Sequence, residues 1–503
     1  MEPDRIRILV QSFSAFPFAQ IRPSHIEQQE IRLATPMGYG SILLHQKAVR
    51  PLVRYLDALR SWRMSSRAKK AIQGSSWTLG SYAAGQVLRL TTQLVLAHVL
   101  LGPTAFGLVA LVNVFLSGLE MLSDLGIGMD VVQHARGDDP HFINTAFIIQ
   151  ATRGIVLFIL AVALAYPFAI FYRQPAARVL IFVAALSILA KGFTSASMWS
   201  MTRHLEFRKL SLLNVSSEVF GLAVSLLWIY ISPSVWALVV ARVAAPTWLM
   251  IGSHFVGDSR VKFEWDRTAA REVMTFGAGI FLSTATYFLS GESERLMVGK
   301  FATVAELGCF SLALSLAAAP SQALMQVAGQ VFFPMISNSI REDQVTSARH
   351  YKKARMVFSI ISIAIGAFFV TCGPWLTALL LPPKFAMTGW MIQMLGIRSA
   401  QDIFSAPTSN MIFAHGNTRY AAISNIVRFT LMSVGLWFAF TRWGIHEAIA
   451  ALVLSSFAAY IALVPAVAKF QPRAFWFELV SSVSFAACLG LAIVIPAIPA
   501  LLR

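Results

Sequence analysis

The sequence predicts an all-α protein that crosses a lipid bilayer many times. Three observations predict it: recurrent apolar runs of spanning length, a scarcity of charge, and basic residues gathered in alternate loops. Of 503 residues, 56% are hydrophobic and only 13% charged, a balance that a water-exposed globular surface does not tolerate. From about Trp77 onward the apolar runs each approach the roughly 20 residues a helix needs to cross about 30 Å of hydrocarbon. The net charge of +17 would suggest nucleic acid in a soluble protein. Here the basic residues sit between apolar runs, where they orient the chain, so no nucleic-acid partner is expected.

Spans are predicted at roughly 76–100, 105–125, 143–171, 179–201, 212–231 and 234–256, and again at roughly 273–298, 303–333, 356–381, 387–413, 420–441 and 445–467. One more helix is predicted near 476–499, giving about twelve to fourteen in all. The expected organisation is a cytoplasmic N-terminal extension over 1–73, a first six-helix bundle over 74–260, a second over 261–468, and an additional transmembrane helix within 469–503. For the extension two readings stand open. Met64, followed by Ser65, Ser66, Arg67, Ala68, Lys69 and Lys70, is one possible start of translation; the other reading is a surface-lying segment using Leu43, Leu44, Val53, Leu56 and Leu59.

Short loops rich in Lys and Arg stay in the cytoplasm. Arg136; Arg203, Arg208 and Lys209; Arg260, Lys262, Arg267 and Arg271; Arg341, Arg349, Lys352, Lys353 and Arg355; Arg419; and Lys469 and Arg473 fall in alternate connections. The intervening ones hold only Arg173, Arg178, Lys300, Lys384 and Arg442. The N-terminus is therefore expected in the cytoplasm.

The two sets of six resemble each other. Leu101–Gly107 occupies the place of Ala302–Gly308, which pairs Gly107 with Gly308. Lys191, Phe193, His204, Arg208 and Asn214 align with Asp402, Phe404, His415, Arg419 and Asn425 at one constant offset. Each repeat starts with a helix running outward and holds an even number of crossings, so the repeats run parallel around a central cavity.

Charge inside a span is costly and marks a cavity or a partner. Arg89 lies mid-span with Gln86 and Gln93 on the same helical face. Arg295 accompanies Ser283, Tyr287, Ser290 and Glu294 at helical spacing, with Glu292 nearby. Lys191, Arg242, Arg398 and Arg428 complete a cationic set suited to an anionic headgroup. The competing reading is internal pairing, with Glu218, Glu292, Glu294 and Asp402 as partners, for example Lys191 with Asp402 and Arg295 with Glu292 or Glu294. Pro103, Pro246, Pro320, Pro374 and Pro407 lie in or beside spans, where they bend helices. Cys309, Cys372 and Cys488 are widely spaced and suggest packing rather than metal binding or disulfides. His98, His134 and His254 have no neighbours at ligand spacing, so neither a metal nor a cofactor is expected.

Several segments resemble the Wzx-like polysaccharide flippases (polysaccharide transporters) of the multidrug/oligosaccharidyl-lipid/polysaccharide exporter superfamily. Leu101, Gly102, Pro103, Thr104, Ala105, Phe106, Gly107 is similar to that family's Leu-Gly-Pro-x-x-Phe-Gly connection, and Asp124, Leu125, Gly126, Ile127, Gly128 to its Asp-Leu-Gly-hydrophobic-Gly turn. Phe276, Gly277, Glu294 to Gly299, Gly308, Phe310, Phe333, Pro334 and Ser337 resemble its seventh and eighth helices. The similarity runs from roughly Ala71 to the C-terminus. Glu294 departs from the family's more frequent Asp or Gln, and Ala302–Val304 lacks the Leu-Gly-Pro character of the first repeat.

The resemblance implies a flippase that carries an undecaprenyl-diphosphate-linked oligosaccharide across the bacterial inner membrane, for lipopolysaccharide or exopolysaccharide assembly. It implies no covalent step, and other polysaccharide assembly proteins as partners. Three rivals remain: a drug or cation exporter using Asp124, Asp130, Glu218 and Asp402; a peptidoglycan-precursor flippase; and a membrane polysaccharide polymerase or ligase. The last lacks any phosphate loop, nucleophile elbow or carboxylate cluster in the sequence.

Overall fold

The computed structural model describes the backbone of residues 66–99, 102–257, 262–342, 344–417 and 419–501, and within these the side chains of all but 66–76, 278–280, 282–283, 285–287, 290, 341–342 and 491–501. Both readings of the segment before Ser66, and the stripe residues Ser283, Tyr287 and Ser290, lie outside what is described. Among the described residues there is no β-strand.

The chain runs through α1 (Ser66–Val99), α2 (Pro103–Met121), α3 (Ile127–Gln133), α4 (Pro140–Phe171), α5 (Pro175–Ala184), α6 (Leu186–Gly192), α7 (Ser197–Arg203), α8 (Phe207–Ile231) and α9 (Trp236–Val256). It continues through α10 (Arg267–Gly291), α11 (Ser293–Phe301), α12 (Val304–Val327), α13 (Phe333–Glu342), α14 (Gln344–Leu380), α15 (Thr388–Ala414), α16 (Arg419–Arg442), α17 (Ile445–Ile461), α18 (Val464–Phe470) and α19 (Phe475–Leu501). A single wide turn, Ala328–Phe332, joins α12 to α13.

Nine stretches among the described residues are long and apolar enough to cross a membrane: α2, α4, α5 with α6, α8, α9, α12 with α13, α14, α16, and α17 with α18. The chain is a polytopic membrane protein. Helices α1, α10, α15 and α19, of 34, 25, 27 and 27 residues, also have spanning length at about 1.5 Å per residue. The polar residues of α1 and α15 lower their mean hydropathy. Most of α15 is buried against protein, so its side chains answer to neighbouring helices rather than to lipid.

The two halves meet where α2 crosses α12. A Cβ on Gly107 would lie 1.8 Å from the carbonyl oxygen of Val304, and one on Gly308 would lie 1.9 Å from that of Pro103. In the repeat alignment Pro103 and Val304 are equivalent, as are Gly107 and Gly308. The crossing is therefore a reciprocal exchange in which each repeat's glycine receives the other's helix start. The starts are built differently. Pro103 sits at the first helical position of α2 rather than bending a span, whereas Thr303 and Glu306 form a capping box on α12, with Glu306 N–H donating to Thr303 Oγ1 at 3.2 Å and Thr303 N–H donating to Glu306 Oε2 at 2.7 Å.

The aligned histidines also share a geometry. His204 Nδ1 lies 2.9 Å from the Ser200 carbonyl and His415 Nδ1 lies 2.8 Å from that of Met411. Each histidine is followed by a residue of positive φ, Leu205 at 61° and Gly416 at 68°.

Two expectations are corrected. The fourth predicted span, 179–201, ends at Gly192, where α6 stops and a bend leads into α7. The basic stretch expected to be a cytoplasmic loop, Arg349 to Arg355, is the first part of α14, and Arg355 is wholly buried. Its guanidinium meets Glu478 of α19, Nε to Oε2 at 3.0 Å. Tyr351 and Thr408 hydroxyls each donate to that carboxylate at 3.0 Å and the Tyr460 hydroxyl at 2.5 Å. Arg355 also donates to Tyr460 Oη at 2.7 Å and to the Phe404 carbonyl. A count of charge along the chain registers Arg355 but not a partner more than a hundred residues away, and that partner lets the helix continue.

Breaking this buried pair strands a charge. Arg355→Met or Glu478→Gln alone should cost on the order of 3–5 kcal/mol, read as a lower unfolding midpoint in detergent, and the double variant should cost less than the sum. Gly107→Val and Gly308→Val should each cost about 1–3 kcal/mol through overpacking in the same assay. Gly80→Ala, whose Cβ would meet nothing within 4 Å, should leave the midpoint unchanged or raised.

Candidate functional site

Most of the charged side chains of the spans occur in pairs. On α1 the turn-by-turn spacing of Gln86 and Arg89 puts both on one face. Arg89 Nη1 meets Glu218 Oε1 of α8 at 2.7 Å and Nη2 donates to Gln86 Oε1 at 2.8 Å. Gln86 Nε2 reaches Gln322 Oε1 of α12 at 3.5 Å, so this face looks toward the second half. The Arg89 side chain remains 45% exposed. Gln93 is oriented with a buried Oε1 that has no hydrogen-bond partner.

A second cluster lies inside the first half. Lys191 Nζ of α6 contacts both oxygens of Glu120 on α2, at 2.8 and 3.0 Å, and its side chain is 47% exposed. Arg153 of α4 donates to the Glu120 carbonyl at 2.6 Å and to Ser123 Oγ at 3.2 Å. Arg242 of α9 has a buried Nε without a hydrogen-bond partner. The sequence reading missed Glu120 and Arg153. Both were legible as charges inside apolar runs, and Lys191 pairs with Glu120 rather than with Asp402.

In the second half the pairing is tighter. Arg295 meets Glu292 at 2.5 Å across the break between α10 and α11. Arg398 meets Glu294, and its side chain is only 8% exposed. Asp402 Oδ1 and Arg428 Nη1 form a looser ion pair at 3.6 Å. Between α12 and α15 lies a pocket of about 220 Å³ lined by Leu314, Ala318, Ser321, Leu395, Arg398, Ser399 and Asp402. Much of that space is open to solvent, and the room it encloses is about 30 Å³, far below the roughly 300–1,000 Å³ typical of drug-sized ligand sites, so in this conformation it does not admit an oligosaccharide.

The Asp124–Gly128 turn is structural. Asp124 Oδ1 accepts the Gly126 N–H at 3.0 Å, Gly126 takes φ 56°, and a Cβ on Gly128 would lie 2.8 Å from the Trp199 indole nitrogen. The turn delivers α3 and the corner before α4 to the start of α10. There Arg136 meets Asp139 at 2.8 Å, Asp266 at 3.0 Å and Glu272 at 3.4 Å. Asp139 and Asp266 are the N-caps of α4 and α10, accepting from His141 N–H at 3.0 Å and Thr268 N–H at 2.8 Å. One guanidinium thus joins the starts of two helices from different halves. Its hydrogen bonds hold both carboxyls below their ordinary range, with the cap N–H groups adding to the effect.

The histidines take local roles: His134 stacks on Phe142, and His254 Nε2 lies 3.0 Å from the Phe193 carbonyl. Among the described residues no group of three metal-capable side chains occurs, and the three cysteines are free.

A carboxyl with a depressed native pKa contributes stability above its unfolded value and loses it as pH falls through the native one. Arg136→Gln should therefore lower the unfolding midpoint at neutral pH. The gap between wild type and variant should narrow as pH drops below about 4, the ordinary carboxylate range, in a detergent unfolding series.

A family model described as "Polysaccharide biosynthesis protein" matches residues 95–388, more than half of the chain. Succinoglycan biosynthesis transport protein ExoT of Rhizobium meliloti (strain 1021) is 22% identical over 319 residues, 61% of this chain and 63% of that protein, less than two thirds of its length. Amylovoran biosynthesis protein AmsL of Erwinia amylovora is 22% identical over 349 residues, covering 68% of this chain and 90% of that protein. Among solved structures, the lipid II flippase MurJ in an inward closed conformation superposes with a TM-score of 0.64 at 11% identity, covering 86% of this chain and all of that one. The last likeness bears on the fold alone. By the extent of the family match, this chain belongs to the polysaccharide biosynthesis protein family.

Proposed function

We propose that this protein is a flippase-type transporter that moves a polyprenyl-diphosphate-linked oligosaccharide, with an undecaprenyl tail, from the cytoplasmic to the outer leaflet of a bacterial inner membrane. In this reading the N-terminus, the corner bearing Arg136 and the α7–α8 connection, flanked by Arg203 and Arg208, lie on the cytoplasmic side, the side that the distribution of basic residues favours. The observation that carries the reading is the half-exposed Arg89, held by Glu218 and Gln86 on a face that reaches Gln322 of the other half.

A sugar head carries many hydroxyls, and drawing each through hydrocarbon unpaired costs on the order of several kcal/mol. A polar path between the halves removes that barrier while the lipid tail stays in the membrane. The diphosphate needs cations that can change partners. Arg89 and Lys191 meet this need, being partly open and held by single carboxylates. Arg295 and Arg428, each met by a carboxylate, and the buried Arg242 are further candidates for the route, while Arg398, enclosed with Glu294, serves chiefly to hold α11 against α15. No covalent chemistry is required, and other polysaccharide assembly proteins supply and consume the cargo.

A cation or drug exporter needs a free acidic pocket. Of the four acids that reading would use, Asp124 is engaged by Gly126 and Glu218 and Asp402 are met by arginines, which favours the anionic cargo; Asp130 is the exception, buried with Oδ2 lacking a hydrogen-bond partner. The same cations would serve a peptidoglycan precursor, so the identity of the accumulating lipid is the deciding measurement.

Deleting the gene should cause a lipid-linked oligosaccharide to accumulate on the cytoplasmic side; accumulation of none removes the proposal. Arg89→Gln and Lys191→Gln should each reduce export about tenfold to a hundredfold, the worth of one hydrogen bond to a charged group at roughly 1.5–3 kcal/mol, with protein abundance retained. Arg398→Gln should lower abundance instead.

A further inference from the structure

The segment entering α10 has an inverted polarity. Over residues 262–266 the acidic side chains turn inward: Glu264 Oε2 lies 3.2 Å from Asn144 Nδ2 and 3.3 Å from His141 Nδ1, and Asp266 meets Arg136. The backbone is pinned as well, Lys262 N–H donating to Asn144 Oδ1 and Asp266 N–H to Thr145 Oγ1, each at 3.0 Å. With alternate residues fixed on α4, the side chains between them point largely outward, one edge of the Phe263 ring resting on Phe147 of α4 with 6.1 Å between centroids. Those are Phe263, 79% exposed, and Trp265, 57% exposed. Phe255 in the last turn of α9 is exposed too, as are Lys262, Arg267 and Arg271.

In water such a strap would be inside out. At a bilayer surface it is right side out, since aromatic rings settle at headgroup level and lysine and arginine meet lipid phosphates. The chain itself puts the strap there. It begins six residues beyond α9, a spanning helix that ends at Val256, and at most about 3.5 Å per residue it stays within roughly 20 Å of that helix end.

We infer that Phe263, Trp265 and Phe255, with Lys262, Arg267 and Arg271, form a docking surface for anionic phospholipid headgroups, and that the bilayer holds the strap against the first half from outside while Arg136 and Asn144 hold it from inside. The inference concerns the membrane surface at this end of the molecule and is independent of what is carried.

The test uses the full chain reconstituted in vesicles of phosphatidylcholine alone or of an equimolar phosphatidylcholine and phosphatidylglycerol mixture. Phe263→Cys and Trp265→Cys, made in a chain with its three native cysteines replaced by serine, carry an environment-sensitive NBD label. The emission should shift to the blue and be quenched by lipids bearing a nitroxide near the headgroup more than by those bearing it deep in the acyl chain. Quenching should be stronger in the anionic mixture, and that excess should vanish when Lys262, Arg267 and Arg271 are changed to glutamine. If the cysteine-free chain fails to fold, a photoreactive benzophenone amino acid in place of Phe263 in the otherwise native chain should yield phosphatidylglycerol adducts by mass. Water-like emission at both positions overturns the proposal, as does equal quenching in the two vesicle types, or a benzophenone product that is protein rather than lipid. Because the readout involves no transport, its failure leaves the flippase reading standing, and the converse also holds.

Discussion

Hydrocarbon cannot solvate a charge, and that one constraint organises this molecule. Six cations carried into the membrane-spanning region are met by a carboxylate: Arg89 by Glu218, Lys191 by Glu120, Arg295 by Glu292, Arg398 by Glu294, Arg428 by Asp402 and Arg355 by Glu478; Arg153 is held instead by the Glu120 carbonyl and Ser123. Because most of the partners lie far apart along the chain, the pairs act as fasteners between helices that lipid-facing apolar surfaces cannot fasten, tails and leucines being equally apolar. Burial sorts them. The fully enclosed Arg355 pair joins four helices, while the Arg89 and Lys191 pairs are half open.

The repeat gives the second organising element. Gly107 and Gly308 let the two halves approach backbone to backbone at one end, and Arg136 joins the starts of α4 and α10 at the other. The two joints differ in kind. The glycine crossing is a steric fit without charge, so it has no dependence on salt or acid, whereas the Arg136 joint is a partly exposed electrostatic one that both would weaken.

Much of this architecture was legible in the sequence, and the rest was hidden for identifiable reasons. The apolar runs located the long helices, and the aligned histidines and glycines marked positions that prove geometrically equivalent, because such patterns depend only on neighbours in sequence. Pairing is different. The expected partner of Lys191 is Asp402, its aligned residue, yet alignment places residues at corresponding points of separate bundles, and these touch only where the bundles cross, as at Gly107 and Gly308. Arg355 reads as a loop residue because its carboxylate comes from α19; Arg153 is legible as a charge inside an apolar run, but its main acceptor, a backbone carbonyl, leaves no trace in residue type. The exposure of Arg89 relative to Arg398 follows from packing and has no local signature.

The corners after α7 and α15 share an aligned histidine and a left-handed residue after it, and differ in which residue takes that conformation. Leu205 adopts a left-handed backbone that its Cβ resists by about 1–2 kcal/mol, where Gly416 adopts it freely. The first corner is closed by a 2.8 Å bond from Glu206 N–H to the Met201 carbonyl, and the second by a 3.4 Å bond from Asn417 N–H to that of Ile412. One copy is a sprung clasp and the other a slack one. A side chain arriving by mutation at position 416 would therefore meet both a steric penalty and a weak closure, while position 205 has already absorbed its own.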